Sequence, residues 1–531
     1  MDRKTNDERR GSPWVRKMVS VLLLAWCTGG CDGEDLRLAY QAPEPVAVGG
    51  TATGLRGPVT LRNNGSDDLV VSTDGPFFFH AAVMRGGTYE VTVRDHPPGQ
   101  VCEVHGGTGV ADAEVSSVRV VCAWQVAENL PRLRVTTVGG ADITSKEEYL
   151  DGEYRVWDEK GHLLAEGALQ IRGRGNSTWG YPKKPYRLKF VEKESLLGMP
   201  ASRHWVLLAN YLDKTLLRTE AAFALSEGIG LAWTPRSRQV LLEINDRSLG
   251  IYQLTEHVRI APSRVDIDEL DVPDPDPVVV TGGYLMQVDY WRGEDYCRRT
   301  PAGAWLCFED PETLLEPAWE AHRDYIDGYL DATETALYGE RFDDPEVGYA
   351  VFLDVASAVD FYLVHEVFKN PDSNFFTSIY LFKPRGGKLV FGPVWDFDLA
   401  AGNAQWARYG FFDGSNPMGW HTRVQDTRTE DTGTNWYTRL FEDPAFEARV
   451  RARWTELREA GVFEDMFTHI ERRAAYLSRV QQRNFEKWRV LDTVLQPDLS
   501  PVIGPWEAHV SAMVSWLRWR VSWMDGELGE P

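Results

Sequence analysis

Apolar and polar positions change their rhythm three times along this chain. Between residues 46 and 124 they alternate in short runs, such as Tyr89-Glu90-Val91-Thr92-Val93 and Val118-Arg119-Val120-Val121. Turn signals separate these runs at Asn63-Asn64-Gly65, Asp74-Gly75 and Gly86-Gly87. Closely spaced short strands with such turns predict a small β-sandwich. Residues 130–525 read as one large α+β unit, strand-like up to about 290 and helical afterwards. Predicted helices run from Leu212 to Gly228, from Phe352 to Val367 and from Glu507 to Leu528. The last carries an apolar stripe at Val510, Met513, Val514, Leu517, Val521 and Met524. In the first, Leu216, Glu220, Phe223 and Ala224 share a face, so a carboxylate interrupts an apolar stripe and needs a partner if buried. Residues 405–435, rich in Gly, Asn, Asp and Thr, read as a long loop, and no internal repeat is present.

The first 30 residues break this pattern. Arg9, Arg10, Arg16 and Lys17 precede an apolar stretch, Met18 to Trp26, too short to span a bilayer. Read from Met1, this is an export signal; a start at Met18 would lose Lys17 and weaken it. Thr28-Gly29-Gly30-Cys31 resembles a bacterial lipobox, in which Cys31 would become a lipid-modified N-terminus. Residues 31–45 form a polar linker. The remaining cysteines fall into two local pairs, Cys102/Cys122 and Cys297/Cys307, which predict two disulfides in an exported protein. Zinc is the rival, but the knuckle spacing is absent.

Composition narrows the class. Of 531 residues, 43% are hydrophobic and 26% charged, which suits a packed globular chain and excludes disorder. The 57 Lys+Arg and 79 Asp+Glu give a net charge of −22, which argues against nucleic acid as a partner.

Within this acidic chain lies a basic island. Gln170-Ile171-Arg172-Gly173-Arg174-Gly175-Asn176 is followed by Lys183, Lys184, Arg187 and Lys189. Glycines Gly173 and Gly175 let backbone N–H groups approach phosphate oxygens, and the cations would neutralise them. Further on, His365-Glu366-Val367-Phe368-Lys369-Asn370-Pro371-Asp372 ends a helix in a polar loop. A hairpin follows, and Trp395-Asp396-Phe397-Asp398 sits in apolar sequence. Asp396 and Asp398 are hard oxygen ligands suited to Mg²⁺ or Mn²⁺, and Asp372 could orient or deprotonate a hydroxyl nucleophile.

The stretches RGRGNSTWGYPKKPYRLKF, LLANYLDKTLLRTEAAFALSEGIG, GIYQLTEHV, HEVFKNPDSN and GPVWDFDLAAGN resemble the spore coat protein H (CotH) kinase family. Residues 46–124 resemble an Ig-like sandwich module of bacterial surface proteins, through the Gly54-Leu55 and Asn63-Asn64-Gly65 positions and the Gly75–Phe79 run. The CotH resemblance implies an atypical protein-kinase-like fold that phosphorylates a protein substrate with ATP and a divalent metal. Asp372 then matches the catalytic-loop aspartate and Asp396 the metal-binding aspartate. Asp398 stands where the usual kinase triplet has glycine. Lys184 and Lys189 are both candidates for the phosphate-anchoring lysine, with Glu220 as its partner. Glu256 is a candidate for the nucleotide-binding hinge and Asn374 for a second metal ligand. Two other readings stand beside this one: a non-catalytic kinase-fold scaffold at the cell surface, and a glycosidase with Asp372 and Asp396 as its carboxylate pair.

Overall fold

The computed structural model describes residues 44–292, 296–405, 412–426, 433–495 and 500–529. The predicted signal, most of the linker and Cys31 lie outside the described residues.

Eight strands between residues 48 and 124 form two four-stranded sheets. One orders Gly75–Phe78, Val48–Thr53, Val115–Trp124 and Gln100–His105; the other orders Asp67–Val71, Val59–Asn63, Thr88–Asp95 and Thr108–Val110. Inward positions of both, including Val48, Leu61, Phe77, Val91, Val118 and Val120, share one core. Asn64 (φ 47°) and Gly65 (φ 72°) are the left-handed central residues of a tight turn, closed by Ser66 N donating to Asn63 O, in the three-residue connection from Val59–Asn63 to Asp67–Val71. Cys102 and Cys122 face each other across adjacent strands and are bonded, with Cα atoms 4.0 Å apart. The segment that follows this all-β region joins the helix Val462–Leu477, where Ala127 N donates to Tyr476 O at 3.0 Å.

The next unit is a closed seven-stranded barrel. Its order is Arg132–Thr137, Leu150–Trp157, Leu163–Gly173, Tyr186–Glu194, Ser202–Leu208, Arg247–Glu256 and Ser237–Ile244, and the last pairs parallel with the first. Side chains fill the interior: Leu133, Val156, Ile171, Leu188, Trp205 and Leu254 are fully buried, and Tyr154 stacks on Phe190 at 3.9 Å. A barrel this small and this full has no room for a ligand inside, so chemistry must sit on its outer face or rim.

Against the barrel lies a five-stranded sheet ordered Cys297–Arg299, Trp305–Asp310, Tyr284–Asp289, Thr377–Lys383 and Val390–Phe391. The helices Glu320–Tyr338, Val355–Phe368, Pro444–Glu459 and Trp506–Leu528 contribute to the largest core with it. Cys297 and Cys307 are bonded across neighbouring strands. The two disulfides point to an oxidising, exported setting. No helix among the described residues is long and apolar enough to cross a membrane.

The helix expected from Leu212 begins only at Arg218. Asp213 pre-empts the earlier turn by accepting from Thr215 N, Thr215 Oγ1 and Arg218 N, and Leu216 is left-handed at φ 62°.

Candidate functional site

Between barrel and sheet opens a cleft of about 480 Å³. Asp372, Asp396 and Asp398 line it together with Arg172, Arg174 and Gly175.

Local structure brings the carboxylates together. The helix Val355–Phe368 starts at Asp354, whose side chain accepts from Ser357 N at 2.8 Å. It stops at Lys369, which turns left-handed while its N–H and that of Asn370 return to Glu366 O and His365 O. Lys369 Nζ then donates to the carbonyls of Asp413, Asn416 and Met418, which ties the end of the helix to the 413–418 loop. Asn370 is the bridge that sequence reasoning missed. Its Nδ2 donates to Asp396 O at 3.1 Å, and its Oδ1 accepts from Asp372 N at 3.2 Å. One side chain therefore ties the two carboxylate loops.

A second clasp comes from the segment before the helix Arg218–Ile229. Arg218 is paired with Asp213 at 2.5 Å and donates from Nε to Ala400 O at 3.0 Å, just beyond Asp398. Asn403 Nδ2 donates to both Leu212 O and Asp398 O. The LDKTLLR stretch thus holds the WDFDLAAGN loop in place.

The electrostatics follow from this crowding. Burial, then the Asp372 charge, pushes the Asp396 carboxyl up to about 6, with Arg174 and the Ser378 hydroxyl opposing. Asp398 is pushed well up by burial and by Asp396, Asp213 and Asp372, against Arg218. Asp396 also holds a left-handed backbone at φ 64°, which Asp tolerates better than most residues. Asp396 and Asp398, raised by burial and by their acidic neighbours, form a site that a divalent cation would relieve. Among the described residues no group of three or more His, Cys, Asp or Glu could cage a metal unaided. A cation held here would therefore rest on one or two carboxylates and complete its shell with water and substrate phosphate, as Mg²⁺ usually does. Asp396 and Asp398 fit that role.

The basic island is sorted by strand parity. On Leu163–Gly173 and Tyr186–Glu194, Ile171, Leu188 and Phe190 fill the barrel, while Arg172, Arg187 and Lys189 lie on the other face. Lys184, a candidate for the phosphate-anchoring lysine, precedes the strand, hydrogen-bonds the Trp179 carbonyl and is not part of the cleft wall. Lys189 faces outward but lines a neighbouring cavity. Lys183 does line the cleft, yet its ammonium is buried, donates to Ile251 O and Asn484 Oδ1, and is pushed down to about 7 by burial. Arg174 is the cation set against Asp396, and it lies over the Trp395 ring at 5.5 Å.

Other expectations are corrected in the same way. A Cβ on Gly173 would stand 2.4 Å from the Trp179 ring, so this glycine admits a tryptophan and does not line the cleft. Gly175, left-handed at φ 85°, does line it. Glu220 faces away and pairs with Arg473 at 2.8 Å and His469 at 3.5 Å, with a hydrogen bond from Gln239, so it is no lysine's partner. Glu256 is fully buried and paired with Arg236 at 2.9 Å, which makes it a structural anchor; its neighbour His257 lines the cleft. Asn374 is buried and is not part of the cleft wall.

Burial alone would raise the Glu220 carboxyl, but the Arg473 and His469 charges beside it and the hydrogen bond from Gln239 outweigh it and bring it down to about 2. A carboxylate lowered from its ordinary value contributes stability above that value, and loses it as pH falls from about 4.5 to about 2. Glu220→Gln is expected to remove about 3 kcal/mol at neutral pH and to flatten part of the acid limb. Urea midpoints at pH 7 and pH 3 check this; an unchanged acid limb would contradict it.

The sequence profile described as CotH kinase protein matches residues 171–524, two thirds of the chain. The chain belongs to the CotH kinase family. Asp372, Asp396, Asp398 and the glycine loop from Arg172 onward fall inside the matched CotH region. No curated protein matches the chain closely enough to count as a relative.

Proposed function

We propose that this CotH family member is an exported protein kinase that transfers the γ-phosphoryl group of ATP to a hydroxyl side chain of a surface or secreted protein. The observation that carries the reading is the meeting of Asp372, Asp396, Asp398, Arg174 and the Gly175 turn in one cleft of a chain matched by a kinase family. A divalent cation bound with the nucleotide would supply neutralisation of phosphate charge. Asp396 and Asp398 would hold that cation. Arg174 and the Gly175 turn would face phosphate oxygens. Asp372, fixed through its backbone by Asn370, would accept the proton of the incoming hydroxyl.

Export is supported by the two disulfides and by the signal-like residues 1–30. Anchoring through a lipid on Cys31 would place the Ig-like module as a spacer between membrane and kinase. The partner is then a protein of the envelope or outer surface.

Thermal unfolding with ATP and Mn²⁺ tests the site. The wild-type chain is expected to gain several degrees, and Asp396→Ala and Arg174→Ala each to lose most of the gain. No gain in the wild type would favour a non-catalytic scaffold.

A further inference from the structure

Next to the cleft lies a second cavity of about 360 Å³, reached past Tyr149, Arg172 and Arg187, which line both. Its floor is the outer face of three adjacent barrel strands. Arg172 lies directly opposite Arg187, and Lys189 directly opposite His204. Like charges directly opposite in an antiparallel pair are destabilising, so this register has a cost without an occupant. Arg259 completes the basic set from the facing wall.

These groups are poorly compensated within the protein. Arg172 Nε, Arg187 Nε and His204 Nδ1 are buried without a hydrogen-bond partner, although such donors normally find one. Four carboxylates also line the cavity: Glu269, Asp271, Asp310 and Glu312. Glu312 is 68% exposed and stays 3.8 Å from Arg187, and Glu269 is 44% exposed and stays 3.6 Å from Arg259. Asp310 accepts from Ile260 N. The strand floor is therefore cationic with the largely buried Asp310, pushed up to about 6 chiefly by burial, beside it, and the exposed rim is acidic. Burial, followed by Arg259, Arg187, Lys189 and Arg264, pushes His204 down to about 3, which fits a pocket whose positive field is unmet.

We propose that this cavity is a phosphate-class anion site, distinct from the carboxylate cleft, in which Arg172, Arg187, Lys189 and Arg259 hold a dianionic phosphate group with His204 beside it. Guanidinium forks suit such oxygens, and two of them share one strand register here. The same chemistry is offered by free phosphate and by a phosphorylated side chain.

Calorimetric titration of the full chain with inorganic phosphate, and separately with a phosphoserine peptide and its unphosphorylated form, tests the assignment. The wild type is expected to bind at least one phosphorylated probe, and the Lys189→Ala/Arg259→Ala double variant to bind about tenfold or more weakly, the effect of losing charge-assisted hydrogen bonds. Lys189→Arg/Arg259→Lys, which keeps the charges, is expected to retain most of the affinity. The thermal shift with ATP and Mn²⁺ is expected to be the same in both variants as in the wild type. Tighter binding of the phosphopeptide identifies a phosphorylated polypeptide as occupant; tighter binding of inorganic phosphate identifies the free ion. The proposal is overturned by absence of binding in the wild type, by equal binding in the alanine variant, or by displacement of phosphate by a non-hydrolysable ATP analogue. The last result would place the anion in the carboxylate cleft.

Discussion

Asp372→Ala is expected to lower phosphoryl transfer by about 10²–10⁴-fold, the usual contribution of a positioned general base, while leaving the ATP- and Mn²⁺-induced thermal shift in place. The separation follows from geometry. Asp372 lies on the loop after the helix Val355–Phe368, whereas the proposed cation ligands Asp396 and Asp398 lie on the loop after Val390–Phe391. Asn370 joins the loops through backbone groups of both, so truncating the Asp372 side chain leaves that bridge intact. Removing a negative neighbour also relieves Asp396, since Asp372 is one cause of its raised carboxyl. Labelled ATP and a serine-rich acceptor, with wild type and variant side by side, read the effect. Equal labelling by both would take Asp372 out of the mechanism. Loss of the thermal shift with the labelling would assign it to nucleotide binding instead.

Arg520→Ala is expected to destabilise the chain by about 3–5 kcal/mol, the cost of removing one partner of a buried ion pair. Arg520 and Glu366 are both fully buried and 2.5 Å apart. The Glu366 carboxylate also accepts from His421 N and Thr422 N, each at 2.8 Å, and Arg520 donates to the carbonyls of Glu366, Pro417 and Gly419. This knot joins the C-terminal helix, the 417–422 loop and the end of the helix that delivers Asp372. Urea unfolding measures the loss. The Arg520→Leu/Glu366→Leu double variant is expected to lose less than the sum of the two single changes, because neither charge is left buried alone. Additive losses would show that the pair itself contributes nothing. Transfer activity is expected to fall with Arg520→Ala even below the unfolding transition, since the loop carrying Asp372 loses its support.

The glycine loop shows where local pattern stops being informative. Alternation along Leu163–Gly173 and Tyr186–Glu194 sorts the side chains into two sets, and that much is visible in the residues themselves. Which set meets a ligand depends on closure of the barrel, a pairing of Arg132–Thr137 with Ser237–Ile244 across about a hundred residues. Closure fills the side holding Leu188 and Phe190 and leaves Arg172, Arg187 and Lys189 outside. Glu220 was legible as a carboxylate needing a partner, and Glu256 as a hinge candidate. Their partners were not: Arg473 comes from a helix some 250 residues later, and Arg236 from across a hairpin.

The sequence by itself determined what covalent neighbours and short spacings can encode. That covers the alternation of the N-terminal strands, the two local cysteine pairs, the CotH motifs, and the Asp372 and Asp396–Asp398 loops placed at the ends of regular elements. Tertiary structure alone decided which cations meet those carboxylates, that Asn370 and Arg218 clamp the loops, and that a second basic cavity adjoins the cleft. The reason is physical. A side chain's type and its parity on a strand are local properties, but its surroundings are set by contacts between distant segments, and charge, burial and hydrogen bonding act through those surroundings.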